Sequence, residues 1–398
     1  MKILYLAPHA FYVDRGTPIS VDLNLRAISD RGRDEVHVCV YGRGEDRAYP
    51  NVTVHRADVP RWVGEIGPGF SAKKLLADVS LFRLAGQVFR RERPDLVYAG
   101  EEAVFLATRL RRRFGVPYVY DMDSSLAQQL VEKKRWLRPL AGCFAWCEGR
   151  AIRGAAACVP VCPALADVAR SRGAEHVELL PDISDLADPD RPATGFLRER
   201  LGLPPGRPIL MYVGNLEAYQ GVDLLLGGYE LALRQQADLE LVIVGGSDAD
   251  LAAYRRKVER RGLAGRAHLL GRWPAARLDE VLAEADILAS PRVRGINTPQ
   301  KIFPYLHSGR PVLMTDLLTH NQVVDNSVCR LAAPTPAAFA SAMKELADDA
   351  GLRARLGAAG RAFVEAGHVY AAHRRRVDRL LDGVAARHAC GAADTAHT

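Results

Sequence analysis

The chain has no apolar run approaching the ~20 residues that a membrane-spanning helix needs. It contains no Cys-x-x-Cys pair, and its seven cysteines are an odd number scattered from Cys39 to Cys390. That spacing gives neither a disulfide framework nor a thiolate metal site. Cys143/Cys147 and Cys158/Cys162 stand four apart, but their neighbours Phe144, Ala145, Trp146, Val159 and Val161 suit buried, reduced thiols. The opening Met1–Leu6 carries one charge and a short apolar run before Pro8 and His9. It lacks the apolar core and small-residue cleavage site of a signal peptide and reads as a first strand, so a cytoplasmic location is expected. Charge asymmetry is also missing: residues 1–185 hold 27 basic and 23 acidic residues, and residues 186–398 hold 27 and 24. Neither half is basic enough to mark a nucleic-acid-binding domain, so no nucleic-acid partner is expected.

What is present is a globular composition, 48% hydrophobic and 25% charged, over 398 residues. Domains usually run ~100–200 residues, so two are expected. Short apolar runs alternate with longer amphipathic stretches. Strands are predicted at 3–6, 36–41, 52–54, 96–99, 118–121, 157–161 and 177–180, with helices at 18–30, 72–92, 102–114, 139–153 and 163–172. An irregular connector rich in proline and aspartate covers 181–192. A second series follows, with strands at 208–213, 239–244, 267–270, 285–289, 310–314 and 329–331. Its helices fall at 222–235, 248–262, 276–284, 299–308, 320–325, 336–348 and 351–366. A last helix is predicted over 369–386, and Cys390–Thr398 reads as a frayed tail. Strands alternating with helices imply crossover connections and parallel sheets.

Three segments of the second half carry chemistry. Val213-Gly214-Asn215-Leu216-Glu217-Ala218-Tyr219-Gln220-Gly221 follows an apolar strand, and Ile243-Val244-Gly245-Gly246-Ser247 ends another. Glycines on strand-to-helix turns let backbone N–H groups meet phosphate oxygens. The third segment runs from Ser290 to Ile302 and includes Arg292, Arg294, Gly295, Asn297, Thr298, Pro299 and Lys301. Asn297 or Thr298 suits a helix cap, Pro299 a first turn, and Lys301 puts a cation beside that helix start. Each alone also fits an ordinary turn or capped helix. All three fall at strand ends of one sheet, where ligands of α/β domains bind.

These segments resemble the donor domain of family 4 glycosyltransferases of the GT-B fold. The likeness continues through Gln220-Gly221-Val222-Asp223, Leu270-Gly271-Arg272-Trp273 and Leu306-His307-Ser308-Gly309-Arg310-Pro311. It implies two Rossmann-like α/β domains facing across a cleft, an acceptor-side domain over 1–185 and a nucleotide-sugar domain over 186–368. A helix over 369–389 would return to the first domain, with 390–398 as a disordered tail. It also implies a hexosyltransferase-type enzyme that retains anomeric configuration, with a nucleotide-diphosphate sugar as co-substrate and neither cofactor nor metal. The donor-binding residues implied are Gly214, Asn215, Gln220, Gly245, Gly246, Arg272, Arg294, Asn297, Thr298 and Lys301.

The chain departs from the family in its charges. Where the family carries two basic residues around the first glycine loop, Asn215 and Gln220 are neutral. Where it carries the two glutamates of an E-x7-E motif, Ile296 and Pro304 stand. Lys301 with Arg292 or Arg294 is expected to replace the diphosphate charge; a catalytically inactive nucleotide-sugar-binding partner protein is the alternative.

In the first half, Asp121 and Asp123 follow a strand, and Asp123 stands where the family often has a histidine that contacts the transferred sugar. Both are candidate catalytic residues; capping of the next helix by Asp123 or Ser124 is the plainer role. His9, Gly16, Thr17 and Glu101, beside Glu102, are candidate acceptor-side residues. Asp121-x-Asp123 has the spelling of a metal motif, but it lies in the half away from the phosphate loops. Basic clusters at Lys73-Lys74, Arg90-Arg91, Arg109–Arg113 and Lys133-Lys134-Arg135 stand among apolar residues. Such clusters suit either solvated helix faces or peripheral contact with the inner face of a membrane. A glycan, lipid-linked or small-molecule acceptor fits, with cell-surface polysaccharide synthesis as the expected setting.

Overall fold

The computed structural model describes residues 1–13, 16–59, 72–126 and 139–395. The chain divides into two compact units, one made of Met1–Pro181 with Ala371–Thr398 and the other of Asp182–Tyr370.

The first unit contains β1 (Lys2–Ala10), α1 (Gly16–Ser29), β2 (Glu35–Tyr41), β3 (Val52–Ala57), α2 (Ala72–Glu92), β4 (Leu96–Gly100), α3 (Val104–Phe114), β5 (Tyr118–Met122), α4 (Ala141–Gly154), β6 (Ala157–Pro160) and α5 (Pro163–Ser171). The second contains α6 (Phe196–Leu201), β7 (Ile209–Val213), α7 (Val222–Arg234), β8 (Glu240–Val244), α8 (Asp248–Arg260), β9 (Ala267–Leu270), α9 (Leu278–Ala283), β10 (Ile287–Ser290), α10 (Ile302–His307), β11 (Val312–Thr315), α11 (Leu318–Asn321), β12 (Arg330–Ala332), α12 (Pro336–Asp348) and α13 (Ala350–Gly367). The last helix is α14 (Tyr370–Thr395).

Each unit is built on a six-stranded sheet, ordered β3-β2-β1-β4-β5-β6 in the first and β12-β11-β10-β7-β8-β9 in the second. Counted within its own unit, each sheet has the same order, third-second-first-fourth-fifth-sixth. Every pairing is parallel, with Leu6 opposite Ala99 between β1 and β4 and Leu288 opposite Met211 between β10 and β7. Helices cover both faces, so β8 and β10 are buried along their whole length. That is why these strands read as continuous apolar runs rather than alternating ones. The chain changes direction across each sheet between its first and fourth strands, and at that point the carboxyl ends of α/β sheets open a crevice.

Helix α14 belongs to the first unit because it buries the stripe Val377, Leu380, Leu381 and Val384 there. Burying one such side chain is worth about 1.5–3 kcal/mol. Arg31 adds polar fixation, bonding Asp378 at 2.9 Å and Asp382 at 2.7 Å.

Three elements differ from the sequence reading. Residues 177–180 run beside β6 but make only an isolated bridge, Cys158 to Val177. Leu180 donates to the Pro160 carbonyl at 3.1 Å, and Pro160 has no N–H to return a bond, so no ladder forms. Helix α11 is four residues long rather than six. Helix α14 continues to Thr395, into the stretch expected to be a disordered tail. Alanine is abundant there and is the best helix former.

Candidate functional site

In the second unit, the turns after β7, β8 and β10 meet at the carboxyl edge of the sheet. Gly214 follows β7 with φ 151° and donates to the Val244 carbonyl at 2.9 Å. Gly245 follows β8 with φ 114°, and a Cβ there would lie 2.1 Å from the Gly214 carbonyl oxygen. The two glycine turns touch backbone to backbone, and only residues without side chains allow it. Gly246, Ser247 and Asp250 then start α8 with a capping box, the Asp250 carboxylate accepting from Ser247 N at 2.9 Å. This satisfies the α8 N-terminus internally. Arg272 is exposed near Asp250.

Asn215 is exposed and forms a local turn, its Oδ1 accepting from Glu217 N at 3.2 Å. Gln220 is buried in the turn that leads to Gly221 and α7. Val293 donates to the Tyr219 carbonyl at 2.9 Å, so the turn after β7 and the loop after β10 are tied together.

Lys301 reaches across to the first glycine. Its Nζ donates to Tyr212 Oη at 2.9 Å and sits 4.1 Å from the centre of the Tyr212 ring. A Cβ on Gly214 would lie 2.5 Å from the ammonium. No carboxylate pairs with Lys301 among the described residues. Burial and, secondarily, the neighbouring Arg292 charge lower its pKa to about 7. Of the two arginines offered by the sequence, Arg292 is the one beside Lys301. It stacks 5.1 Å from the Tyr219 ring centre and donates to Arg294 O at 2.9 Å and Asn297 Oδ1 at 3.1 Å. The Arg294 side chain is exposed.

Asn297 and Thr298 do not cap α10, whose N-cap position is Lys301. The entering N–H groups are already bound, Ile302 to Pro299 O at 3.1 Å and Phe303 to Gln300 O at 3.2 Å. Asn297 serves Arg292 instead, and the buried Thr298 hydroxyl has no hydrogen-bond partner among the described residues.

Sequence reasoning missed what holds this loop. The fully buried His320 bonds Ser290 Oγ at 3.0 Å and the Thr315 carbonyl at 3.0 Å, while Thr315 Oγ1 donates to the Arg292 carbonyl. Burial lowers the His320 pKa to about 3, so the ring is neutral. Tyr305 Oη likewise bonds both Val213 N and Val213 O at 2.7 Å, fixing the end of β7. Nothing local in the sequence marks these residues, which are distant along the chain.

In the first unit, the corresponding edge lies at the ends of β1 and β4. His9 is near the end of β1, and Glu101 and Glu102 form a short turn after β4. Lys74 of α2 points inward, its Nζ 3.1 Å from Glu101 Oε2 and 2.7 Å from Glu102 Oε1. Lys74 is therefore not part of a basic surface; Lys73 beside it is exposed. Asp121 is buried at the end of β5, accepting from Tyr5 Oη and Asn24 Nδ2 at 3.3 Å each. Asp123 is half-buried in the following turn. Gly16 is exposed and Thr17 half-buried at the start of α1. The predicted cluster Lys133-Lys134-Arg135 falls outside the described residues. Among the described residues, Glu35, His37 and Glu92 bring possible ligand atoms within 4.8 Å of one another, at the opposite, amino end of β2. Lys2 Nζ already lies 3.6 Å from Glu35 and 3.3 Å from Glu92.

The family described as "Glycosyl transferases group 1" matches residues 207–349, and "Glycosyl transferase 4-like domain" matches residues 20–182. The chain belongs to the group 1 glycosyltransferases. Among this glycosyltransferase's relatives is the alpha-D-kanosaminyltransferase of Streptomyces kanamyceticus, 28% identical over 268 residues, covering 64% of this chain and 67% of that one. Another is the 2-deoxystreptamine N-acetyl-D-glucosaminyltransferase of Streptomyces fradiae, 26% identical over 298 residues, covering 71% and 70%. Two solved structures share the GT-B fold. Sucrose-phosphate synthase from Thermosynechococcus elongatus superposes with TM-score 0.78 at 18% identity, covering 97% of this glycosyltransferase and 99% of that chain. HepE of Anabaena in complex with UDP superposes with TM-score 0.71 at 18% identity, covering 96% and 100%.

Proposed function

We propose that this glycosyltransferase moves a hexosyl group from a nucleoside-diphosphate sugar to an acceptor hydroxyl, with retention at the anomeric carbon. One observation carries the reading: an ammonium with no carboxylate partner among the described residues is packed against the first strand-end glycine, in the crevice between β7 and β10. A partly desolvated cation without a counter-ion is costly, and an anionic ligand relieves that cost. Lys301 and Arg292 would bear on the diphosphate, with Thr298 offering a hydroxyl. In the transfer, the acceptor oxygen bonds to the anomeric carbon while the bond from that carbon to the diphosphate oxygen breaks. The hydroxyl proton leaves with the nucleoside diphosphate. The growing charge on the leaving diphosphate is what Lys301 and Arg292 stabilise, an effect usually worth several kcal/mol.

Because fixed cations take this role, transfer is expected to need no metal. Nucleoside diphosphate release in the presence of EDTA should equal the untreated rate. Loss of transfer with EDTA and its return on adding magnesium or manganese would overturn this donor-site reading. A thermal-shift screen against nucleotide sugars would identify the base, since a ligand at 100 times its dissociation constant stabilises by ~2.7 kcal/mol. Nucleotide binding without release in the presence of any acceptor would point to the inactive binding protein.

A second reading, contact with an anionic membrane surface, is favoured by one observation. Leu75, Leu76 and Val79 of α2 and Phe105 of α3 are each 41–48% exposed, and α3 also carries Arg109 and Arg111 to Arg113. Helices α2 and α3 are neighbours, joined at Phe89 and Phe114 with ring centres 4.9 Å apart. Each basic residue near such a surface contributes about 1 kcal/mol. Cosedimentation with phosphatidylserine vesicles should be seen at low salt and lost at high salt. No cosedimentation at low salt would sink this reading.

A further inference from the structure

Among the described residues, the carboxyl edge of the first unit's sheet has a surplus of acid. Glu101 and Glu102 share the single ammonium of Lys74, and Asp78 lies one helical turn further along α2, accepting a hydrogen bond from Tyr41 Oη. Burial would raise the Glu101 carboxyl, but Lys74 more than offsets this and holds it below the ordinary range. Glu102 is pushed up to about 8 by burial and by Glu101. Asp78 is also raised, by burial. Among the described residues one cation serves several carboxylates, and the imbalance favours a proton on Glu102.

A second, independent observation comes from His9. Its Nδ1 lies 3.1 Å from the Ala10 carbonyl, which can only accept, so Nδ1 carries the hydrogen. Burial lowers the His9 pKa, so the ring is neutral and Nε2 presents a lone pair. That Nε2 is buried and has no hydrogen-bond partner among the described residues. It feels the charges of both Glu101 and Lys74. A buried, unused acceptor costs about 1–3 kcal/mol unless a donor comes to it. Glu101 is also held at φ 46°, a conformation that costs a residue other than glycine energy and gathers at ligand sites.

An edge with excess carboxylate and an unused imidazole acceptor calls for a ligand that brings a positive charge and hydrogen-bond donors. We propose that the glycosyl acceptor is a polyol bearing a protonated amine, with its ammonium seated on Glu101 and Glu102 and a donor of the same molecule on His9 Nε2. The amine takes the place of the proton favoured on Glu102. A phosphorylated acceptor would meet Glu101, Glu102 and Asp78 with like charge. This rests on the glycosyl-transfer reading above, and it names the acceptor class for that reaction.

The test compares three cyclic polyols on the full chain in the presence of the nucleoside diphosphate found by thermal shift. They are 2-deoxystreptamine, which carries two amines, neutral myo-inositol, and inositol phosphate. Calorimetry should show the diamine binding at least ~10-fold tighter than myo-inositol, the factor for one charge-assisted hydrogen bond, with the phosphate weakest. Glu101→Gln and Glu102→Gln should each erase most of that preference. Their affinity for the nucleoside diphosphate should be unchanged, which also reports that the variants are folded. Equal binding of diamine and myo-inositol, preference for the phosphate, or binding of none of the three overturns the proposal. Diamine binding by a chain that binds no nucleotide and releases none from any donor would leave the ammonium seat standing and remove the glycosyl-transfer reading.

Discussion

Lys301→Ala should weaken nucleoside diphosphate binding by about 10- to 100-fold, the range for losing ~1.5–3 kcal/mol of charge-assisted hydrogen bonding. Affinity for the bare nucleoside should be unchanged, because Lys301 lies at the glycine turn where phosphate is expected. The wild type should also show a pH signature. A pKa near 7 means that the free side chain is largely neutral at pH 8 and charged at pH 6. Binding of a diphosphate favours the charged form, so affinity should fall as pH rises from 6 to 9. At pH 8 the complex should take up nearly one proton, seen as a binding enthalpy that depends on buffer ionisation. Lys301→Ala should remove that uptake. Equal losses for nucleoside and diphosphate, or proton uptake that persists in the variant, would show that Lys301 only packs against Tyr212.

Gly221→Ala should be among the most destabilising single changes in the second unit. Gly221 has φ 76°, and a Cβ there would lie 1.8 Å from the Pro291 carbonyl oxygen. Backbone, not a flexible side-chain end, blocks the way. The left-handed conformation costs about 1–2 kcal/mol for a residue with a Cβ, and forced repacking adds about 1–3 kcal/mol. A loss of about 2–5 kcal/mol should lower the melting temperature of a unit this size by roughly 4–20 °C. Relief of the clash would separate the turn after β7 from the loop carrying Arg292, so thermal stabilisation by nucleotide should shrink as well. A variant that melts within a degree of wild type and keeps its nucleotide shift would mean that the loop yields at no cost.

Position along the chain and position in the site are related unevenly here. The glycine turns were legible because a strand end followed by Gly214 or Gly245 requires backbone that only glycine supplies. Lys301 was legible as a candidate because it is a cation following a glycine loop. Its actual setting was not: the partner Tyr212 is 89 residues away, and its aromatic face is seen only once β7 and β10 lie side by side. The same applies to Asn297 and Thr298, whose composition suits a helix cap but which lie outside the tight turn that opens α10. Lys74 read as one of a basic pair on an amphipathic helix. Period alone places a residue on a helix face; it does not show that Glu101 and Glu102 wait at that face from the turn after β4.

The sequence by itself determined the alternation of strands and helices, the two units and the glycine turns at the strand ends. These follow from local periodicity and from backbone conformations that few residues adopt. Only the tertiary structure decided which side chains share a site. Strand order brings β1 beside β4 and β7 beside β10, so that His9 and Glu101 fall at one sheet edge and Gly214 meets Lys301. Contacts between residues tens of positions apart depend on that order, which no local pattern encodes.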